Sequence, residues 1–140
     1  SWIGSNLVHL PWLPEGQQVF ESTSTFELWV SAGQEIATAR YSWAHEGNAH
    51  HGVIVIAADG ERSTVGWSDS WHQNGSVLAM AGAHGEDLDV SAAYASDENG
   101  DWRWRIKLLG SEEGLILEMF NINPAGEETW AVRSNYTRRS

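Results

Sequence analysis

The chain contains no cysteine. Disulfide frameworks, thiol nucleophiles and cysteine-ligated zinc are therefore excluded from the start. Basic residues are also scarce. Eight Lys and Arg stand against 19 Asp and Glu, a formal charge of -11. Nucleic-acid affinity comes largely from Lys and Arg neutralising phosphates, so a nucleic-acid partner is not expected. Adsorption to an anionic membrane is opposed for the same reason. No apolar run is long enough to span a bilayer, and no signal peptide is visible. The chain opens with Ser1 rather than Met, as it would if a leader or tag had been removed, and the cytoplasm is the expected compartment. Helical signals are missing too: no segment sustains i, i+3, i+4 apolar spacing with a cap. With no linker, low-complexity tract or internal repeat, residues 1–140 read as a single domain. A chain of 140 residues buries enough surface to need no covalent staple.

What the sequence does have is tryptophan, nine in all, and a period of two. Along Asp101–Leu108, Trp102, Trp104, Ile106 and Leu108 fall on one face, and Arg103, Arg105 and Lys107 on the other. That is a strand with a dry side and a wet side. Val19–Val30 places Phe20, Phe26, Leu28 and Val30 together, with Ser22 and Ser24 between them. Ile36–His45 aligns Tyr41, Trp43 and His45. Thr64–His72 aligns Trp67, Asp69 and Trp71, and Leu88–Tyr94 aligns Leu88, Val90, Ala92 and Tyr94. Val53–Ala58, Leu115–Ile122 and Thr129–Tyr136 complete the segments. Turn signals separate them, among them Glu46-Gly47-Asn48, Asn74-Gly75, Asn99-Gly100 and Ala125-Gly126.

About ten short strands joined by hairpins predict an all-β, closed antiparallel up-and-down barrel. Closure removes exposed edges. A barrel is favoured over a sandwich because Ser22, Ser24, Thr38 and Asp69 interrupt apolar faces, which a partly wet interior tolerates better than a dry sandwich core.

Tyr41-Ser42-Trp43, Gly52-Val53-Ile54-Val55, Trp67-Ser68-Asp69-Ser70-Trp71-His72, Trp102-Arg103-Trp104-Arg105-Ile106, Met119-Phe120-Asn121-Ile122 and Tyr136-Thr137-Arg138 resemble an uncharacterised bacterial domain-of-unknown-function family. The resemblance runs through nearly the whole chain and implies a calycin-like barrel, similar to lipocalins and fatty-acid-binding proteins. It implies no particular activity. Ser1-Trp2-Ile3-Gly4 resembles the first-strand Trp of lipocalins, which packs under an Arg of the last strand; Arg138 or Arg133 would fill that role here. The carboxylate clamp of fatty-acid-binding proteins is doubtful, since Arg133 and Tyr136 lie on opposite faces, and the two-helix lid of those proteins is absent. Nitrobindin-type haem ligation needs a late His, and none follows His84. No cofactor is expected.

Three groups carry candidate chemistry. Asp69, set between Trp67 and Trp71 with His72 beyond, would be a ligand anchor or a general base of raised pKa if it faces inward. It would then need a partner: Arg40, a Tyr hydroxyl or a ligand donor. The bland alternative is a turn cap or an outside ion pair. His45, Glu46, His50 and His51 surround a hairpin turn. With Gly47-Asn48 at its centre, His45 would pair with His50, a two-imidazole arrangement that suits a solvated tip more than a metal. Tyr41, Trp43, Trp67, Trp71, Tyr94, Trp102 and Trp104, with Leu117 and Met119, fall on faces assigned inward and would line a pocket or fill a core. Trp12 is expected to cover a barrel end and Trp29 to lie outside, while Trp130 has no assigned side. No catalytic residue is assigned, because Ser70 and His72 share the face opposite Asp69 and form no triad with it.

The function expected is binding of a small hydrophobic or aromatic molecule in a Trp-lined cavity, through Tyr41, Trp43, Trp67, Asp69, Trp71, His72, Tyr94, Trp104, Leu117, Met119 and Asn121. The alternatives are an enzyme (isomerase, cyclase or hydrolase) using Asp69 or His72 as acid or base, and a structural module whose indoles serve an interface, with a homodimer as one form.

Overall fold

A computed structural model describes residues 1–139 and contains strands and turns with no helix among them. Ten strands follow one another: β1 (Trp2–His9), β2 (Val19–Val30), β3 (Ile36–His45), β4 (Asn48–Ala58), β5 (Arg62–Asp69), β6 (Leu78–Ala83), β7 (Leu88–Asp97), β8 (Gly100–Gly110), β9 (Gly114–Ile122) and β10 (Glu128–Arg138). Each pairs antiparallel with its sequence neighbours, and β1 closes on β10. The result is the closed up-and-down barrel that the two-residue period calls for. Among the described residues no helix is long and apolar enough to cross a membrane.

The inward face of each strand is its apolar set. Phe26, Ile54, Trp67, Ile106, Leu117 and Met119 have essentially no exposed surface. Full burial of aliphatic and Phe side chains such as these stabilises by roughly 1.5–3 kcal/mol each. They meet across the barrel and fill its middle.

The polar residues on inward faces do not make the interior wet. Ser24 Oγ donates to the Ser42 carbonyl at 2.6 Å and lies 2.8 Å from the Tyr136 hydroxyl. Ser134 donates to Asn6 Oδ1 at 2.6 Å, and Ser22 Oγ accepts from the Ala44 amide. Each buried hydroxyl is matched by protein, as a dry core requires. Thr38 departs from expectation altogether. It pairs with Trp29 and Val55, one position out of step with buried Ala39, and lies on the outer wall.

Local corrections follow from turn geometry. The β3–β4 hairpin turns at Glu46-Gly47, both with positive φ (50° and 78°). The register is therefore His45↔Asn48 and Trp43↔His50. This differs by two residues from the expected pairing, so His45 and His50 keep the same face as diagonal neighbours. Strand β5 stops at Asp69, and Trp71 and His72 belong to the turn that follows. Arg40 points outward to Glu27.

At the start of β1, the Arg138 guanidinium lies 5.7 Å from the Trp2 ring centroid. Arg133 instead faces out, over Trp130 at 4.6 Å and near Glu118 at 3.7 Å. Trp29 is external, as expected, with 59% of its surface exposed.

Candidate functional site

The segment Trp67–His72 builds one knot of hydrogen bonds. Asp69 ends β5 pointing inward and is only 2% exposed. Its Oδ1 accepts from the backbone amides of Trp71 (2.8 Å) and His72 (3.0 Å), which caps the turn. Its Oδ2 accepts from the Tyr41 hydroxyl at 2.6 Å and from Trp43 Nε1 at 3.4 Å. Trp67 Nε1 in turn donates to the Tyr41 oxygen at 2.9 Å. The chain Trp67 to Tyr41 to Asp69 is a polarised series of donors ending on a charge, in which each bond strengthens the next.

A missing side chain makes this possible. Gly52 of β4 lies directly between its partners Tyr41 on β3 and Asp69 on β5. A Cβ there would fall 1.9 Å from Tyr41 Cζ and 2.2 Å from its hydroxyl oxygen. Only glycine lets the phenol lie across the intervening strand and reach Asp69.

Burial alone would push the Asp69 carboxyl upward. The neighbouring His72 imidazole outweighs it, helped by the Tyr41 hydroxyl and the His72 amide, and the pKa falls to about 2. The expectation of a raised value is thus overturned. The group is a permanent anion whose acceptor positions are occupied by donors. The His72 Nδ1 comes within 3.3 Å of Oδ1. Tyr41 moves well above the ordinary phenol value, through burial first and then the Asp69 charge. It stays a donor.

Above this knot, at the mouth formed by the β1–β2 loop and the β5–β6, β7–β8 and β9–β10 turns, lies a cavity of about 350 Å³. That is within the range of small-molecule sites, at its lower end. Its wall contains the indoles of Trp12, Trp71, Trp102, Trp104 and Trp130, with Leu10, Pro11 and Ala131. His9, His72, Asn121, Asn123, Glu127 and Thr129 add polar groups. Trp104 stacks on Trp67 at 5.4 Å and 7°, so the top of the filled core is the floor of the cavity. The Trp104 indole N–H is buried and has no protein partner.

The expected site residues divide between these two layers. Trp71, His72, Trp104 and Asn121 line the cavity. Tyr41, Trp43, Trp67 and Asp69 form the knot beneath it, and Leu117 and Met119 belong to the filled core. Tyr94 sits at a bulge in β7, 43% exposed, and donates to Asn121 Oδ1 at 2.7 Å, so it braces the wall from outside. Trp12 covers the mouth, as its position near Pro11 and Pro14 suggests, and is 72% exposed. His9, Leu10, Asn123, Glu127, Thr129 and Ala131 went unforeseen. A β-bulge between Trp130 and Val132 reverses the alternation of β10 and brings Thr129 and Ala131 to the cavity wall.

His50 Nδ1 lies 3.1 Å from Ser70 Oγ, and His45 and His50 both pack edge-on against Trp71. Among the described residues no three His, Asp or Glu side chains converge as a metal set. A second depression of about 300 Å³ opens at the opposite barrel end, between Leu28, Ile56, Leu108 and Leu115.

No family model matches the chain, and no curated protein matches it.

Proposed function

We propose that the mouth cavity binds a small aromatic or hydrophobic molecule, of one or two rings. The carrying observation is the cavity at the barrel mouth: about 350 Å³ walled by Trp12, Trp71, Trp102, Trp104 and Trp130, above a filled middle. A ligand there would gain stacking and apolar burial from the indoles. The Asn121 and Asn123 amides in the wall would fix orientation. The calycin-like reading agrees with the barrel order and with the Trp2–Arg138 contact between the first and last strands.

The test is titration of intrinsic Trp fluorescence with a panel of small aromatic compounds, repeated on Trp12→Ala and Asn121→Ala. Saturable quenching that weakens in these variants and persists in Trp29→Phe supports the site. Absence of any saturable response at millimolar ligand would refute it.

Acid–base catalysis has one observation behind it, the cavity-lining His72 with Asp69 at its back. In that reading Asp69 orients the imidazole and His72 is the reacting group, so turnover of a cavity-bound substrate would vanish in His72→Ala.

A further inference from the structure

The charge distribution around the cavity narrows the class of molecule it takes. None of the eight Lys and Arg residues lines the wall. Arg40 is held by Glu27, Arg105 by Asp89 and Glu128, and Arg133 lies outside against Trp130 near Glu118. Arg138 sits at the far end over Trp2. A carboxylate or phosphate entering the mouth would find no guanidinium or ammonium there to replace its hydration, which is costly to lose. The one charged carboxylate in the wall is Glu127. Its side chain makes no hydrogen bond or ion pair among the described residues, while its backbone amide is tied to Asn123 Oδ1 at 2.9 Å. The turn therefore fixes the Glu127 backbone at the cavity wall, and its carboxylate has no protein partner among the described residues.

Indole faces carry negative potential and attract cations, Trp most strongly. Trp12, Trp102 and Trp104 line the same cavity as Glu127. Trp102 is anchored by its N–H to Asp97 Oδ2 at 2.8 Å, which adds a second carboxylate close to the rim. The chain's charge of -11 would concentrate cations near the mouth.

We infer that the preferred ligand is an organic cation, an amine or quaternary ammonium on a small apolar or aromatic body, with its charge between the rim indoles and Glu127. This rests on the cavity reading above and adds to it the sign of the ligand.

A matched series separates the two. Phenyltrimethylammonium, tert-butylbenzene and benzoate share an aromatic ring of similar size and differ in charge. Each is titrated against the whole chain by Trp fluorescence. The cation is expected to bind about tenfold more tightly than the neutral compound, as indole contacts and one carboxylate imply. Raising the salt concentration should narrow that margin. Glu127→Gln should reduce affinity for the cation several-fold and leave the neutral compound unchanged. Glu127 is exposed in a turn, so this variant keeps the fold. Equal binding of cation and neutral compound, preference for benzoate, or indifference to Glu127→Gln overturns the cation assignment while the cavity reading stands. No saturable response to any of the three overturns both.

Discussion

Replacing Tyr41 by Phe removes one oxygen atom and tests the knot beneath the cavity. That oxygen donates to the Asp69 carboxylate at 2.6 Å and accepts from Trp67 Nε1 at 2.9 Å. A hydrogen bond to a charged group contributes about 1.5–3 kcal/mol, and a buried donor left without an acceptor costs about 1–3 kcal/mol. Trp67 is fully buried, so no water replaces the lost acceptor. The two terms overlap, and the expected loss is about 3–4 kcal/mol, a large part of a small domain's stability. Urea unfolding followed by Trp fluorescence measures it, with an unchanged m-value as the sign that the folded state keeps its compactness. Tyr136→Phe is the internal comparison. It also deletes a buried phenol oxygen, but the bond lost is a neutral one to Ser24, and about 1 kcal/mol is expected. A double-mutant cycle of Tyr41→Phe with Asp69→Asn should give a coupling above about 1 kcal/mol. If Tyr41→Phe costs no more than Tyr136→Phe, the Asp69 charge does not strengthen the knot and the reasoning fails.

Gly52→Ala is expected to destabilise by more than about 2 kcal/mol, because its Cβ would displace the Tyr41 ring and break the same knot; equilibrium unfolding measures it. Asp69 has its pKa lowered from 3.8 to about 2 in the fold. Its contribution, about 2.5 kcal/mol, is complete above pH 3.8 and lost as the pH falls from there through 2. Unfolding free energies across pH 2–5 should show that slope in the native chain and a weaker one in Asp69→Asn. Leu117→Ala should cost about 2–5 kcal/mol, because Leu117 lies in the filled middle; a smaller loss would mean the core is loosely packed there. Strands β6 and β7 are joined in register only at Ala81↔Ser91. Their amides should exchange hydrogen faster than those of β3 and β4, which pair along their whole length.

Much of the barrel was legible because alternation survives wherever large apolar side chains mark one face, as in Trp102, Trp104 and Ile106. It failed where those marks are missing. Strand β6 reads Leu-Ala-Met-Ala-Gly-Ala, small residues that give weak strand signals, and it was not singled out. The hairpin at Glu46-Gly47 was displaced because Asn usually takes positive φ, while here Glu46 does. Asp69 was recognisable as a buried carboxylate in need of a partner, and a Tyr hydroxyl was among those expected. That Gly52 would admit Tyr41 depended on cross-strand register, which no local pattern states. Glu127, Asn123 and Thr129 were hidden for a similar reason. They come from the β9–β10 turn and from a strand whose bulge reverses its faces, far in sequence from Trp71.

The knot and the cavity are two layers of one construction. Asp69 Oδ1 holds the amides of Trp71 and His72, the first residues of the turn to reach the cavity wall. Asp69 Oδ2 holds Tyr41 and Trp43, which fill the space below them. A carboxylate buried this deeply is stable only because every donor around it is preplaced, and those same donors set the wall's position. Loss of Asp69 should therefore weaken ligand affinity without any direct contact to the ligand, by letting Trp71 and His72 move. Glu127→Gln should do the opposite, lowering affinity for a cation while the unfolding midpoint stays in place. Measuring both variants by unfolding and by titration distinguishes a residue that shapes the wall from one that meets the guest.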